Sequence, residues 1–390
     1  FSYYNIFWSK YMNFHGKILN DREHNYSNIN KEIIILLNKE LNKSKSAEII
    51  KYCKLLLEIK FFEKLDGEIN YSKGDNFTLG VQEYDWLLSN NKDKWIDYLV
   101  YRYKFRMNPK KLLLDSFPPY VLIEPTSICN IRCIMCFQVD KSFTKKEYMG
   151  RMPWDIFTKA VDEVSANNCQ AITLASRGEP TLHPQLGEML LYIKNKGILD
   201  LKLNTNATKL SEKLSRNILE AEVKELVFSV DAGTKDTYES IRVKGKFDEV
   251  VNNIKNFNKI RKNEFPNSKI TTRISGVKVN NKQNIKQMTE FWEKHVDQVS
   301  IKSAIPRWDT YNNKVNNIKK PCTQLWERVY IWYDGTINPC DFDYKSKLSV
   351  GNINDITIKE AWHNLLYKNM RKNHLNEKRS SINPCDRCPL

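Results

Sequence analysis

From Pro119 onward the chain alternates short apolar runs with amphipathic stretches, and this alternation predicts a fold before any single residue does. Apolar runs at Tyr120–Glu124, Ala171–Ser176, Leu201–Asn204, Leu226–Val230, Ile270–Gly276 and Gln298–Ser303 read as strands. Helical periodicity fills the intervals at Trp154–Ala166, Gln185–Lys196, Ser211–Glu220 and Phe247–Lys262. Strands alternating with helices predict an α/β fold with a parallel sheet, closed or partly closed as a barrel. A complete eightfold barrel needs roughly 250 residues, so a stretch of about 190 suits a partial (β/α)6 TIM-like barrel better. Residues 1–115 read as mostly helical. Ser46–Phe62 places Ile49, Ile50, Cys53, Leu56 and Leu57 near one face, and Asn30 is placed to cap a preceding helix that contains Ile33, Ile34, Leu36 and Leu37. A third helical run, Val81–Tyr103, carries Trp86, Trp95, Tyr98 and Tyr101, whose aromatic rings read as packing. After residue 306 the alternation fades, leaving a hairpin at Tyr330–Asp334 and Thr336–Cys340 around Gly335, and a helix at Ile358–Lys372. The boundaries expected from these changes are 1–115, 116–305 and 306–390.

Charge changes this picture little. The net charge of +16 comes from Lys and Arg spread along the chain, not from an arginine-rich stripe, so nucleic acid is not expected as a partner. A basic face suits a phosphorylated or nucleotide sugar, or an acidic leader peptide, equally well. No run reaches the roughly 18 to 20 apolar residues of a membrane span, and the first residues show no signal-peptide pattern. A soluble, cytoplasmic protein without a membrane partner is the expectation.

The nine cysteines change the picture most. In a cytosolic setting they read as metal ligands before disulfides. Cys129, Cys133 and Cys136 follow directly after the first strand as Cys-x3-Cys-x2-Cys. Three thiolates on one loop can ligate three corners of a cubane cluster and leave one iron open to a small molecule. A closed zinc site would want a fourth Cys or His nearby, and the sequence offers none.

Placed after the first strand of a βα barrel, this spacing resembles the radical S-adenosylmethionine (SAM) superfamily, with Met135 at its usual bulky position. The resemblance implies a [4Fe-4S] cluster bound with SAM, and reductive cleavage of SAM to a 5′-deoxyadenosyl radical. Further motifs sit at the C-terminal ends of strands, where barrels place active sites. Ser176-Arg177-Gly178-Glu179-Pro180 resembles the family's Gly-Gly-Glu segment, which holds the methionyl amine, with Arg177 in place of the first glycine. Thr205-Asn206-Ala207 resembles the Thr-Asn-Gly turn, with alanine in place of glycine. Ser229 and Asp231 end the fourth strand and Arg242 follows; in the family a Ser and an Arg here contact the ribose and carboxylate of SAM. Ser275, at the end of the fifth strand, occupies the place of an adenine-binding motif.

Cys322, Cys340, Cys385 and Cys388 form a second group. Gly335-x4-Cys340 and Cys385-x2-Cys388 are tight local signals, and a four-cysteine zinc site remains open from the sequence. Beyond a radical SAM core the arrangement resembles the small cysteine-rich Twitch/SPASM extension, which implies one auxiliary [4Fe-4S] cluster. With all four irons ligated by protein, such a cluster conducts electrons. That favours two-electron oxidation of a substrate, with flavodoxin or ferredoxin as the expected electron donor. Cys169, at the start of the second strand, and Cys53, on an apolar helix face, read as packed thiols and not as hydrogen donors for an epimerisation. A sugar- or cyclitol-like small molecule is the expected substrate. A peptide or protein substrate is the alternative, and a non-catalytic or RNA-binding iron–sulfur protein is the reading from another class.

Overall fold

In a computed structural model that describes residues 23–58, 77–305 and 307–390, the chain divides into two compact units, Phe1–Leu113 and Leu114–Leu390. The described part of the first unit consists of helices: α1 (Glu23–Lys43), α2 (Ala47–Leu57), α3 (Val81–Ser89) and α4 (Trp95–Lys111), with a 3-10 turn at Lys92–Lys94. Three expectations need correction or trimming here. Asn30 lies inside α1 instead of capping it, and its Oδ1 accepts a hydrogen bond from the Tyr84 hydroxyl at 2.8 Å. The helix at Ser46 is capped as its sequence suggests, with Ser46 Oγ accepting from Ile49 N, and it buries Tyr52, Cys53 and Leu56. Its expected last residues, 59–62, lie outside the described residues. The single helix expected over Val81–Tyr103 is two, because Asn90 and Asn91 turn to extended backbone. Asn90 Nδ2 donates to Trp86 O at 2.7 Å, the local side-chain bond by which Asn competes with helix continuation. Trp86 stacks on Tyr98 at a centroid distance of 3.7 Å, which makes these aromatics packing residues.

The second unit is built on the six expected strands: β1 (Tyr120–Ile123), β2 (Ala171–Leu174), β3 (Asp200–Thr205), β4 (Glu225–Ser229), β5 (Thr271–Lys278) and β6 (Gln298–Ser303). They pair in parallel in that order. Helices α5 (Trp154–Ala166), α6 (Leu186–Asn195), α7 (Glu212–Glu220), α8 (Lys235–Ile241), α9 (Phe247–Glu264) and α10 (Ile285–Trp292) lie between strands. The sequence pattern does not single out α8 or α10. Register explains the polarity of the sheet. Ile123, Leu174, Leu203 and Leu226 stand side by side and are fully buried. Their neighbours Leu122, Thr173, Lys202 and Glu225 share the opposite, inner face, because successive strand residues alternate sides. Lys202 pairs with Glu225 there at 2.7 Å.

The sheet stays open. Beyond β1 it continues as β7 (Arg328–Ile331), parallel to β1, then β8 (Thr336–Asn338), antiparallel to β7, and β9 (Gly351–Asn352), which makes nine strands. The expected hairpin is therefore β7–β8, and it extends the barrel sheet. Gly335 turns it at φ +82°, where a Cβ would stand 2.9 Å from Asn352 Oδ1. The helix expected over Ile358–Lys372 is split into α11 (Ile358–His363) and α12 (Leu365–Leu375). Asn364 between them is extended; it accepts from Tyr367 N as the cap of α12 and donates to Val350 O at 2.6 Å. Among the described residues no helix is long and apolar enough to cross a membrane.

Candidate metal centres and cosubstrate site

The loop after β1 is pinned before it reaches its first cysteine. Thr126 Oγ1 donates to Gly150 O at 2.6 Å and accepts from Ile128 N at 3.1 Å. Arg132 Nη1 then donates to Cys129 O at 2.7 Å, and Arg132–Cys133 pairs antiparallel with Arg242–Val243, setting Cys133 opposite Arg242. Cys136 N closes the turn on Cys133 O at 3.0 Å. All three cysteines are free thiols, and Cys129 and Cys136 are half-buried. Met135 is half-buried on the same turn. Burial, and then the field of Glu179, pushes the Cys129 thiol up to about 12; burial pushes Cys133 up to about 12 against the pull of Arg242. Such thiols stay protonated until metal binds, so assembling the centre must release their protons.

The residues expected around SAM fall into two sets that flank this loop. Gly178 lies so close to the Cys loop that a Cβ would stand 2.2 Å from Thr126 O and 2.6 Å from Ile128 O. These are backbone atoms and cannot swing aside. Gly178→Ala is expected to destabilise the unit by about 1–3 kcal/mol, read as a lower thermal midpoint. Glu179 is buried, and Oε1 accepts from Thr181 N, Thr181 Oγ1 and Thr205 Oγ1, while Oε2 accepts from Asn206 N at 2.6 Å. Burial raises its carboxyl pKa against these bonds. Asn206 Nδ2 donates to Asn130 Oδ1 at 3.1 Å and lies 4.0 Å from Cys129 Sγ. Glu179, Thr205 and Asn206 thus tie the ends of β2 and β3 to the first cysteine. Ala207 adopts φ +61°, the backbone that explains a glycine in the family motif.

The second set faces Cys133. Asp231 Oδ1 accepts from Val277 N at 2.8 Å, and Arg242 Nε stands 2.7 Å from Asp231 Oδ2 as an ion pair whose angle falls short of a hydrogen bond. Burial opposes the charge on Arg242, but Asp231 and Cys133 outweigh it and hold the guanidinium protonated. Ser229 ends β4, but its register neighbour Ser275 lies within β5 and not at its end, because pairing with β6 carries that strand on to Lys278; both serines are half-buried.

Three buried polar atoms at this end of the sheet, Ser176 Oγ, Asn204 Oδ1 and Tyr238 Oη, have no hydrogen-bond partner, and Asp231 Oδ2 and Arg242 Nε face only each other. Buried polar groups are nearly always paired. A cluster of orphans beside three free thiols is what a bound polar ligand would satisfy, so the residues fit a cluster with its cosubstrate. Tyr238 was missed in the sequence because it sits on α8, and no motif marks it; it is fully buried in the fields of Arg242 and Cys133.

Arg177, the departure from Gly-Gly-Glu, does something the glycine could not. Its guanidinium grips Glu124 at the end of β1 through Nε–Oε2 (2.8 Å) and Nη2–Oε1 (2.6 Å), and its backbone N donates to Oε2 at 3.0 Å. Nη1 donates to Tyr344 O at 3.0 Å, and the group lies 4.2 Å from the Trp332 ring centroid. Phe137, next to Cys136, stacks on Tyr344 at 4.8 Å. The cosubstrate loop is therefore braced against the segment that follows Cys340.

The fold also gathers Cys322, Cys340, Cys385 and Cys388, and Cys340 lies in the field of the other three. Cys322 N donates to His374 Nδ1 at 3.1 Å, and Phe342 N donates to Cys340 Sγ at 3.3 Å. Asn316 binds Asp386 O and Cys388 O, each at 2.8 Å, fixing the Cys385–Cys388 turn. All four are free, and burial raises each of them. Among the described residues no three His, Cys, Asp or Glu form a group that could close on a metal ion. A cubane instead gives each thiolate its own iron. Cys169 is packed just before β2, and Cys53 is buried within α2.

The sequence matches the radical SAM superfamily over residues 123–291 and SPASM, an iron–sulfur cluster-binding domain, over residues 322–389. The second match resolves the zinc alternative in favour of a cluster. The tungsten-containing aldehyde ferredoxin oxidoreductase cofactor-modifying protein of Pyrococcus furiosus is 34% identical over 113 residues, 29% of this chain and 30% of that protein. The mycofactocin maturase MftC of Mycobacterium tuberculosis is 24% identical over 190 residues, 47% of this chain and 45% of its own. The chain spans about a third of the length of the first of these curated relatives. In fold it is similar to Streptococcus suis SuiB bound to its precursor peptide SuiA, with TM-score 0.54, 15% identity, and coverage of 86% of this chain and 79% of that one. It is likewise similar to anSMEcpe with bound AdoMet, with TM-score 0.53, 19% identity, and coverage of 70% and 85%. The two cysteine groups, the open parallel sheet and the two sequence matches agree: the chain belongs to the radical SAM superfamily and carries a SPASM-type iron–sulfur cluster-binding domain after its core.

Proposed function

We propose that the protein cleaves SAM reductively at the Cys129–Cys133–Cys136 centre and oxidises a sugar- or cyclitol-like small molecule by two electrons. When bound, the site cluster supplies the electron that breaks the C–S bond of SAM and frees the radical that takes a substrate hydrogen. The chain's own part is to hold and to aim. Three thiolates fix three irons and leave one open. Glu179, Thr205 and Asn206 order the turn beside Cys129, with Met135 on the cysteine loop itself. Asp231 and Arg242 order the side of Cys133, and Ser229 and Ser275 offer hydroxyls on the adjoining strands.

The observation that carries the oxidative reading is the thiol quartet. Four protein thiols leave no iron of an auxiliary cluster open to substrate, so its use is to take up the second electron, with flavodoxin or ferredoxin serving the other centre. Replacing Cys385 and Cys388 together by Ala is expected to leave 5′-deoxyadenosine formation measurable while oxidised product disappears. Product at the normal rate would leave the auxiliary cluster a purely structural part.

Modification of a peptide is the second reading, favoured by the fold likeness to SuiB with its precursor peptide and by the match to the maturase MftC. The two separate by deuterium transfer: labelled sugars or labelled peptides are offered, and the one whose deuterium enters 5′-deoxyadenosine is the substrate class.

A further inference from the structure

Among the four auxiliary thiols the structure places a buried arginine that no motif marks. Arg379 is 2% exposed. Its guanidinium donates from Nε to Cys385 O at 3.1 Å, from Nη2 to Cys388 O at 3.1 Å and from Nη1 to Leu390 O. One planar group thereby spans both cysteines of the Cys385–Cys388 turn and holds their main chain in a fixed relation, which the fork geometry of arginine allows and lysine does not. The guanidinium is thus a fixed cation beside the Cys385–Cys388 turn.

We infer that Arg379 is the positioning residue of the auxiliary cluster: it shapes the Cys385–Cys388 half of the site and sets a buried positive charge beside that pair of thiolates, raising the cluster's reduction potential. This rests on the reading of the quartet as a four-thiolate [4Fe-4S] centre. Such a centre carries two negative charges when oxidised and three after one electron enters. A cation fixed in a low-dielectric setting stabilises the more negative form. The effect suits a centre whose proposed task is to accept an electron from substrate.

The test uses the full chain with Cys129, Cys133 and Cys136 changed to Ala, so that only the auxiliary cluster reports. Iron is counted after anaerobic reconstitution, and the potential is read by EPR-monitored titration. Arg379→Gln is expected to keep its iron and to lose about tenfold in the one-electron reduction equilibrium, about 59 mV. Arg379→Lys should hold a potential near that of the parent and lose iron faster to a chelator, since one ammonium cannot span three main-chain oxygens. Equal potentials in the parent and Arg379→Gln at full iron would overturn the inference. If Arg379→Gln fails to load, retention of iron by Arg379→Lys supports the charge role, and equal loss by both overturns it. An iron-free parent quartet is a distinct result: it overturns the cluster reading itself, and the role of Arg379 with it.

Discussion

Changing Cys129, Cys133 and Cys136 together to Ala is expected to remove about four irons per chain and to take 5′-deoxyadenosine formation below detection. The expectation follows from ligand count. Each thiolate would hold one iron and the fourth iron would have no protein ligand, while the nearby carboxylates are already engaged, Glu179 by Thr181, Thr205 and Asn206 and Asp231 by Val277 N and Arg242. Asn206 Nδ2, 4.0 Å from Cys129 Sγ, is a donor, and Arg242 opposite Cys133 is a cation. Neither can ligate iron. The quartet at Cys322, Cys340, Cys385 and Cys388 stays intact in this variant, so iron should fall by about half and not to zero. Cleavage of SAM by the triple variant would sink the core assignment. Loss of all iron would overturn the cluster reading of the quartet.

The second large effect is expected at Arg177. Arg177→Met removes the partner of Glu124, which is wholly buried, and leaves that carboxylate with the Tyr333 N–H at 3.3 Å and the residue-177 backbone N–H. Breaking a buried pair from one side typically destabilises by about 3–5 kcal/mol, because the remaining charge is stranded. For a unit of this size that is a fall in thermal midpoint on the order of 10 °C. The double variant Glu124→Leu, Arg177→Met removes both charges and should recover most of the loss. A single variant as stable as the parent would show that the pair is neutral to the fold. The single variant should also loosen the link to Tyr344 O, so auxiliary iron should become easier to chelate even where the triad remains loaded.

Much of the site was legible because its signals are local. Cys-x3-Cys-x2-Cys, Gly178-Glu179, Thr205-Asn206 and Ser229-x-Asp231 each lie within one turn of chain at a strand end. Short apolar runs between amphipathic stretches marked the six parallel strands. Local reading also misled in the places where a polar side chain overrules periodicity. Asn90 and Asn364 each break a run whose apolar spacing continues past them, and Asn30 lies within a helix it was expected to start. Tyr238 and Arg379 carry no motif at all; only burial and an absent or unusual set of partners reveals them.

The sequence by itself determined the three candidate ligands of a site cluster, the six core strands and the four candidate ligands of a second centre. A ligand on a short loop has its partners within reach whatever the rest of the chain does. Tertiary structure alone decided that Cys322 meets Cys340, Cys385 and Cys388, and that β7–β9 extend the barrel sheet instead of standing apart. It also decided that Arg177 grips Glu124 from 53 residues away. These are contacts between distant segments, fixed by strand register and by how helices pack over the sheet. A substitution such as arginine for glycine shows only that a local pattern is broken; the buried carboxylate that explains it comes from another strand.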